Sequence, residues 1–176
     1  CSNDCRFCVR SVNPDYYGND LWLSKEPTAE EVIAKLPDKN YNEVVFCGYG
    51  EPTFRIDELV KIGKELKKRG YIVRLNTNGQ GNLINGRDIT EELAEGVDKV
   101  NVSLNAGSRE TYYDLCRPVF GEDAYDALIE FAKECKRRGM ATNFSIVDCM
   151  DADEIELCKK TAENAGIPLR IRSFIK

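Results

Sequence analysis

The feature that most constrains the fold is a recurring unit: a polar or basic helix end, one glycine, then a short strand. Lys-Lys-Arg-Gly70 leads into Tyr71-Ile-Val-Arg-Leu75, and Ala-Glu-Gly96 into Lys99-Val-Asn-Val-Ser-Leu104. Lys-Arg-Arg-Gly139 leads into Ala141-Thr-Asn-Phe-Ser-Ile-Val147, and Asn-Ala-Gly166 into Pro168-Leu-Arg-Ile-Arg-Ser-Phe174. Each glycine suits the left-handed residue that ends a helix. The glycines are 26, 43 and 27 residues apart, and the long step has room for an extra helix near 108–115. With the apolar run Glu43-Val-Val-Phe-Cys47 ahead of them, five strands are predicted, near 43–47, 71–76, 99–104, 141–147 and 168–174. Strands alternating with helices pack as a parallel sheet with right-handed crossovers. Loops leaving the C-terminal ends of such strands emerge on one rim, where ligands bind.

The helices carry their own signals. Thr28 and Glu31 form a capping-box pattern that starts a helix ending near Leu36 and Pro37. Asp57 is placed to cap the next helix, with Leu59, Val60, Gly63 and Leu66 on one face. The helix over 122–138 is expected to bury Ala124, Leu128, Phe131 and Cys135. The helix over 153–165 is expected to bury Ile155, Cys158, Ala162 and Ala165. A chain of 176 residues fits a single domain over 1–176.

Chemistry concentrates in the first eight residues, Cys1-Ser-Asn-Asp-Cys5-Arg-Phe-Cys8. One short loop can turn three sulfurs toward one point. Three thiolates without an obvious fourth ligand suit an iron–sulfur cluster with one iron left open. Zinc and a disulfide are the alternatives, although zinc sites usually pair Cys-x2-Cys with a second such pair, and none follows. The chain has no His, which excludes Ser-His-Asp and Cys-His catalysis and His-ligated zinc. Eight cysteines in a chain with helix and strand periodicity throughout read as reduced thiols in a cytoplasm rather than as disulfide staples. Cys47, Cys116, Cys135, Cys149 and Cys158 lie outside the loop and read as buried free thiols. The net charge is −5 with both signs mixed, which argues against a nucleic-acid surface. No apolar run approaches the roughly 20 residues of a membrane span, and no signal-peptide core is present.

Three further stretches read as site loops. Gly48-Tyr-Gly-Glu-Pro52 follows a buried strand, its glycines allow close backbone approach to a ligand, and Glu51 adds a carboxylate able to grip an ammonium. Asn76-Thr-Asn-Gly79 ends the next strand, where a plain polar turn is the bland reading. Ser103 and Asn105 end the strand after that. Ser145, Asp148, Arg117 and Arg172 are weaker candidates. The segment between Val9 and Pro27 carries Tyr16, Tyr17 and Trp22, aromatics placed to cover a substrate or simply packed on the surface.

Cys-x3-Cys-x2-Cys with Phe7 before its last cysteine resembles the signature of the radical S-adenosylmethionine (SAM) superfamily. Gly48-Tyr-Gly-Glu-Pro52 resembles that family's Gly-Gly-Glu-Pro motif, with Tyr49 in place of the second glycine. The resemblance implies a [4Fe–4S] cluster on Cys1, Cys5 and Cys8, whose open iron binds the amino and carboxylate groups of SAM. It places Phe7 by the adenine and Gly48, Tyr49, Gly50, Glu51 and Pro52 about the amino group. Asn76, Thr77 and Asn78 fall near the methionine part, and Ser103 and Asn105 near ribose hydroxyls or the carboxylate. The family's Gly-x-Ile-x-Gly pattern is not recognisable in Phe144-Ser-Ile-Val-Asp148.

The implied fold is an α/β partial TIM barrel with a (βα)6-like parallel sheet. The cysteine loop should itself follow a strand, so the first strand is expected before Cys1, in a chain that reads as trimmed. The implied reaction is reductive cleavage of SAM to a 5′-deoxyadenosyl radical that takes hydrogen from an unknown substrate. The electron comes from an external donor such as flavodoxin or ferredoxin. Glycyl-radical activation and modification of a peptide or small molecule both remain open. The run from Ser103 through Tyr112 to Cys116-Arg-Pro-Val-Phe-Gly121 is similar to a small subgroup associated with TatD-type hydrolases. A non-catalytic iron–sulfur or zinc module is the rival reading; it leaves the loops at 48–52 and 76–79 unexplained.

Overall fold

In the computed structural model, which describes residues 1–12, 22–36 and 41–174, five strands form one sheet in the order β1-β2-β3-β4-β5. They are β1 (Glu43–Phe46), β2 (Ile72–Thr77), β3 (Lys99–Ser103), β4 (Ala141–Val147) and β5 (Leu169–Arg172). Every neighbouring pair is parallel. Sequential parallel strands with helical crossovers are the architecture of a partial TIM barrel. The helices are α1 (Val9–Val12), α2 (Ala29–Ala34), α3 (Ile56–Lys68), α4 (Gly81–Asn85), α5 (Thr90–Gly96), α6 (Arg109–Cys116), α7 (Asp123–Arg137) and α8 (Ala152–Ala165). Tyr16, Tyr17 and Pro37 lie outside the described residues.

The sheet has two unlike faces. Val73, Leu75, Val100, Val102, Phe144 and Ile146 are fully buried on one of them. They join Leu59 and Leu66 of α3 and Leu128 and Phe131 of α7 in one core. The other face is polar, unlike the near-continuous apolar runs usual in parallel sheets. Register aligns Asn76, Asn101 and Asn143 across three strands and sets Ser103 beside Ser145. Glu43 accepts from Arg74 Nε and Lys99 Nζ, each at 3.1 Å, so one carboxylate bridges three strands. Asn143 Nδ2 donates to Asn101 Oδ1 at 2.5 Å, and Asn101 Nδ2 donates to Ser145 Oγ at 3.1 Å. A polar face inside a barrel leaves a lining able to meet a polar ligand.

Local rules account for most element ends. Thr28 Oγ1 accepts from Glu31 N at 3.2 Å and Glu31 Oε2 accepts from Thr28 N at 2.8 Å, the expected capping box. Ser108 and Asp151 cap α6 and α8 with their side chains. Asp57 does not cap α3: the 3-10 turn Pro52–Arg55 runs straight into the helix, which puts Asp57 in its first turn. Gly70, Gly139 and Gly166 take positive φ as expected. Gly96 does not; it is the last residue of α5, followed by an extended Val97. Its reason is packing, because a Cβ on Gly63 would lie 2.2 Å from the Gly96 carbonyl oxygen. The two glycines let α3 and α5 meet backbone to backbone.

Candidate functional site

The cysteine loop is held by the last turn of α6 and the segment that follows it. Asp4 N donates to the Cys116 carbonyl and Arg6 N to the Leu115 carbonyl, both at 3.0 Å, and Val119 N donates to the Ser2 carbonyl at 2.9 Å. Arg117 ends α6 with a φ of 46°, and its guanidinium lies 3.7 Å from Asp4. Arg6 pairs with Asp114. Cys8 N donates back to the Cys5 carbonyl at 3.1 Å, a turn that brings the third cysteine toward the second. All three thiols are free, Cys1 exposed and Cys5 and Cys8 half-buried. A hydrogen bond with the Cys116 thiol holds the Cys5 thiol below its ordinary value. The same contact and burial push Cys116 up. Phe7 is half-buried against the core. Among the described residues no three Cys, Asp or Glu side chains converge on a single metal ion. A cluster takes one thiolate per iron and so accepts ligands spread more widely than one zinc ion does.

The loop after β1 faces open space. Gly48 and Gly50 have φ of 137° and 104°, and a Cβ on either would meet nothing within 4 Å among the described residues. Cys1 and residues 48–52 line one cavity of about 460 Å³, together with apolar groups such as Val32, Phe46 and Leu59. Trp22 sets its ring edge-on to Tyr49, with centroids 5.3 Å apart. Glu51 is buried behind the glycines. Its Oε1 accepts from Thr53 N at 3.1 Å, Thr53 Oγ1 at 2.9 Å and Thr77 Oγ1 at 2.7 Å. Its Oε2 accepts from Asn78 N at 2.8 Å. Burial pushes the Glu51 carboxyl up, and these donors pull against it. The carboxylate therefore ties the loops after β1 and β2 together.

The loop after β2 turns toward the cysteines. Asn78 Nδ2 donates to Ser2 Oγ at 2.7 Å and lies 4.0 Å from Cys1 Sγ. Asn76 faces the other way and accepts from Arg74 at 3.0 Å. Beyond β3, Ser103 is half-buried and Asn105 is buried in a left-handed conformation, φ 57°. Asn105 Nδ2 lies 3.8 Å from Cys116 Sγ, while its Oδ1 is buried without a hydrogen-bond partner among the described residues. Asp148 Oδ1 instead accepts from Phe174 N at 2.6 Å, which closes the ends of β4 and β5. Ser145 lies within the polar face as an acceptor for Asn101. Arg172, on β5, is exposed.

Sequence reasoning did not single out Ser2, Asn3, Gln80 or Tyr112 as site residues. Gln80 Nε2 donates to Asn3 Oδ1 at 2.8 Å and to Tyr112 OH at 2.9 Å, and Asn3 Nδ2 donates to Tyr112 OH at 3.1 Å. The available signal was position alone: Ser2 and Asn3 lie between cysteines, and Gln80 follows the Asn-Thr-Asn-Gly turn. The reading of five buried thiols needs correction at two positions. Cys116, Cys135 and Cys158 are buried, but Cys149 is half-buried and Cys47 exposed. Cys47 lies just beyond the end of β1, on the glycine loop rather than within the sheet.

The sequence model of the Radical SAM superfamily matches residues 1–162. The chain belongs to the radical SAM superfamily. A probable GTP 3′,8-cyclase of Saccharolobus islandicus is 35% identical over 173 residues, covering 95% of this chain and 51% of the cyclase. A putative glycyl-radical enzyme activating enzyme of Methanocaldococcus jannaschii is 26% identical over 157 residues, covering 86% of this chain and 59% of that protein. The radical SAM chain thus spans about half the length of the cyclases it matches. The solved structure of native anSMEcpe with bound AdoMet superposes on the whole chain with a TM-score of 0.68, at 17% identity and over 49% of its own length. A radical SAM methyltransferase from Sphaerobacter thermophilus superposes on 98% of the chain with a TM-score of 0.53, at 16% identity and over 63% of its length. At such identities the likeness is one of fold.

Radical SAM proteins are enzymes that bind a [4Fe–4S] cluster and SAM. The residues of this chain fit those groups. Three free thiols occupy one loop and, among the described residues, Gly48 and Gly50 have open space before them and the Asn105 side-chain carbonyl oxygen is buried with no donor. No helix among the described residues is long and apolar enough to cross a membrane.

Proposed function

We propose that residues 1–176 form one radical SAM core domain that holds a [4Fe–4S] cluster on Cys1, Cys5 and Cys8 and binds SAM at the rim beside it. The observation that carries this reading is the shared cavity: Cys1 and the glycine loop at 48–52 line the same space. When bound, the cluster and SAM supply reductive cleavage to a 5′-deoxyadenosyl radical, which abstracts hydrogen from the substrate. The chain's own residues bind and orient. Gly48, Tyr49, Gly50 and Pro52 present backbone to the amino group of SAM, and Glu51 fixes the shape of that loop. Phe7 packs near the adenine. Asn76, Thr77 and Asn78 border the methionine end, and Ser103 and Asn105 meet the ribose or carboxylate. Asn105 Oδ1 gains the donor it lacks among the described residues.

The electron comes from an external donor such as flavodoxin or ferredoxin, in a reducing cytoplasm where the thiols stay free. The substrate is open between the chemistries of the named relatives, nucleotide cyclisation and glycyl-radical activation. The test is anaerobic reconstitution followed by reduction with SAM present. Wild-type protein should bind about four irons and four sulfides and release 5′-deoxyadenosine. The variant with Cys1, Cys5 and Cys8 all changed to Ala should do neither. Full iron content in that variant, or stoichiometric zinc in the wild type as purified, would overturn the reading.

A further inference from the structure

The loop after β2 reaches the cysteine loop at two alternate residues. Asn78 and Gln80 both point their amide groups at it. The Asn78 amide lies within reach of two atoms of the cysteine loop, Ser2 Oγ at 2.7 Å and Cys1 Sγ at 4.0 Å. The Gln80 amide divides its hydrogens between Asn3 Oδ1 and Tyr112 OH. Gln80 and Tyr112 are fully buried and Asn3 is 5% exposed, so these bonds form away from water and fix their partners firmly. Behind them Glu51 holds Asn78 N and Thr77 Oγ1. One continuous set of hydrogen bonds therefore runs from the glycine loop through the turn at 76–80 to Ser2 and Asn3.

We infer that Asn78 and Gln80 are positioning residues for the cysteine loop, and that Asn78 also donates toward the Cys1 sulfur. This inference rests on the reading that Cys1 is a cluster ligand. Gln80 fixes Asn3 between the first two cysteines. Asn78 fixes Ser2 and supplies an N–H to the thiolate next to it. Hydrogen bonds to cluster sulfurs stabilise the more negative, reduced state and raise the reduction potential. The turn thus acts on the metal side of the site, in addition to bordering SAM.

The test has two arms. In metal-free protein, hydrogen exchange of the amides of Asp4 and Arg6 reports how firmly the loop is held, because both are bonded to carbonyls in the last turn of α6. Asn78→Asp, which is isosteric but lacks the donor, and Gln80→Met should each speed that exchange about tenfold or more, with circular dichroism unchanged. In reconstituted protein without SAM, Asn78→Asp and Asn78→Leu should each move the one-electron equilibrium about tenfold toward the oxidised cluster. That is a shift of about 59 mV to more negative potential. Asn164→Ala, at an exposed position of α8, should leave the potential in place. Unchanged exchange in the metal-free variants overturns the positioning role whatever the cluster does. Altered exchange with an unchanged potential overturns donation to Cys1. Failure of the wild type to take up iron is a different result: it removes the proposed function, while the exchange arm still judges the positioning.

Discussion

Four donors point at the Glu51 carboxylate, two from Thr53 and one each from Thr77 and Asn78. All four lie in buried residues, so removing the carboxylate strands them away from water, at about 1–3 kcal/mol for each group left unpaired. Glu51→Ala should lose about 3 kcal/mol in urea denaturation, and Glu51→Gln less, since one oxygen remains. A loss under about 0.5 kcal/mol would mean that the loops are not tied through this side chain. Gly50 behaves oppositely. Its surroundings are open, so Gly50→Val meets only the backbone strain of φ 104° and whatever ligand occupies the space. SAM affinity measured by calorimetry should fall at least tenfold in that variant, with iron content retained. Unchanged affinity would make the loop a plain turn. The motif around these residues was legible because its glycines and carboxylate are contiguous. The task of Glu51 was not, because Thr77 and Asn78 come 26 and 27 residues later and only the parallel register brings them near.

Helix α3 lies close against α5 because neither carries a side chain where they touch. A Cβ on Gly63 would sit 2.2 Å from Gly96 O, and one on Gly96 would sit 3.0 Å from Val60 O. Backbone cannot yield as a flexible side chain can, so Gly63→Ala must push the helices apart. The expected cost is about 2 kcal/mol, within the range for overpacking and in spite of the better helix propensity of Ala. Gly139→Ala is the comparison: its Cβ meets nothing, so it should lose only about 1 kcal/mol, from its left-handed φ. Equal losses in chemical denaturation would remove the packing argument. At this scale the sequence showed the periodic faces of α3 and α7 and the capping box at Thr28. Gly96 was misread because helix-end and close-contact glycines look alike without a partner helix to compare. Helix α4 went unseen because Gly-Asn-Leu-Ile-Asn is too short to show a period.

Across the whole molecule, the order of five parallel strands followed from the repeated helix–glycine–strand unit, and the observed bounds differ from the expected ones by two residues at most. The polar face was legible only in part. In β3, Lys99, Asn101 and Ser103 alternate with Val100 and Val102, a period-2 signal, but nothing along the chain says which residues meet across strands. Glu43 shows why that matters, since it joins Arg74 of β2 and Lys99 of β3 from its place on β1. Lys99 first, then Arg74, holds the Glu43 carboxyl below its ordinary value despite some desolvation. A carboxyl lowered in the folded state stabilises the fold above its unfolded pKa of about 4.3, and that contribution is lost as pH falls through the folded value. Glu43→Gln should therefore be less stable than wild type near pH 7, and the gap should close as the pH is lowered from about 5 to 3. Denaturation midpoints taken across that range decide it. A gap that stays constant with pH would show that the three strands are not joined through an ionised Glu43.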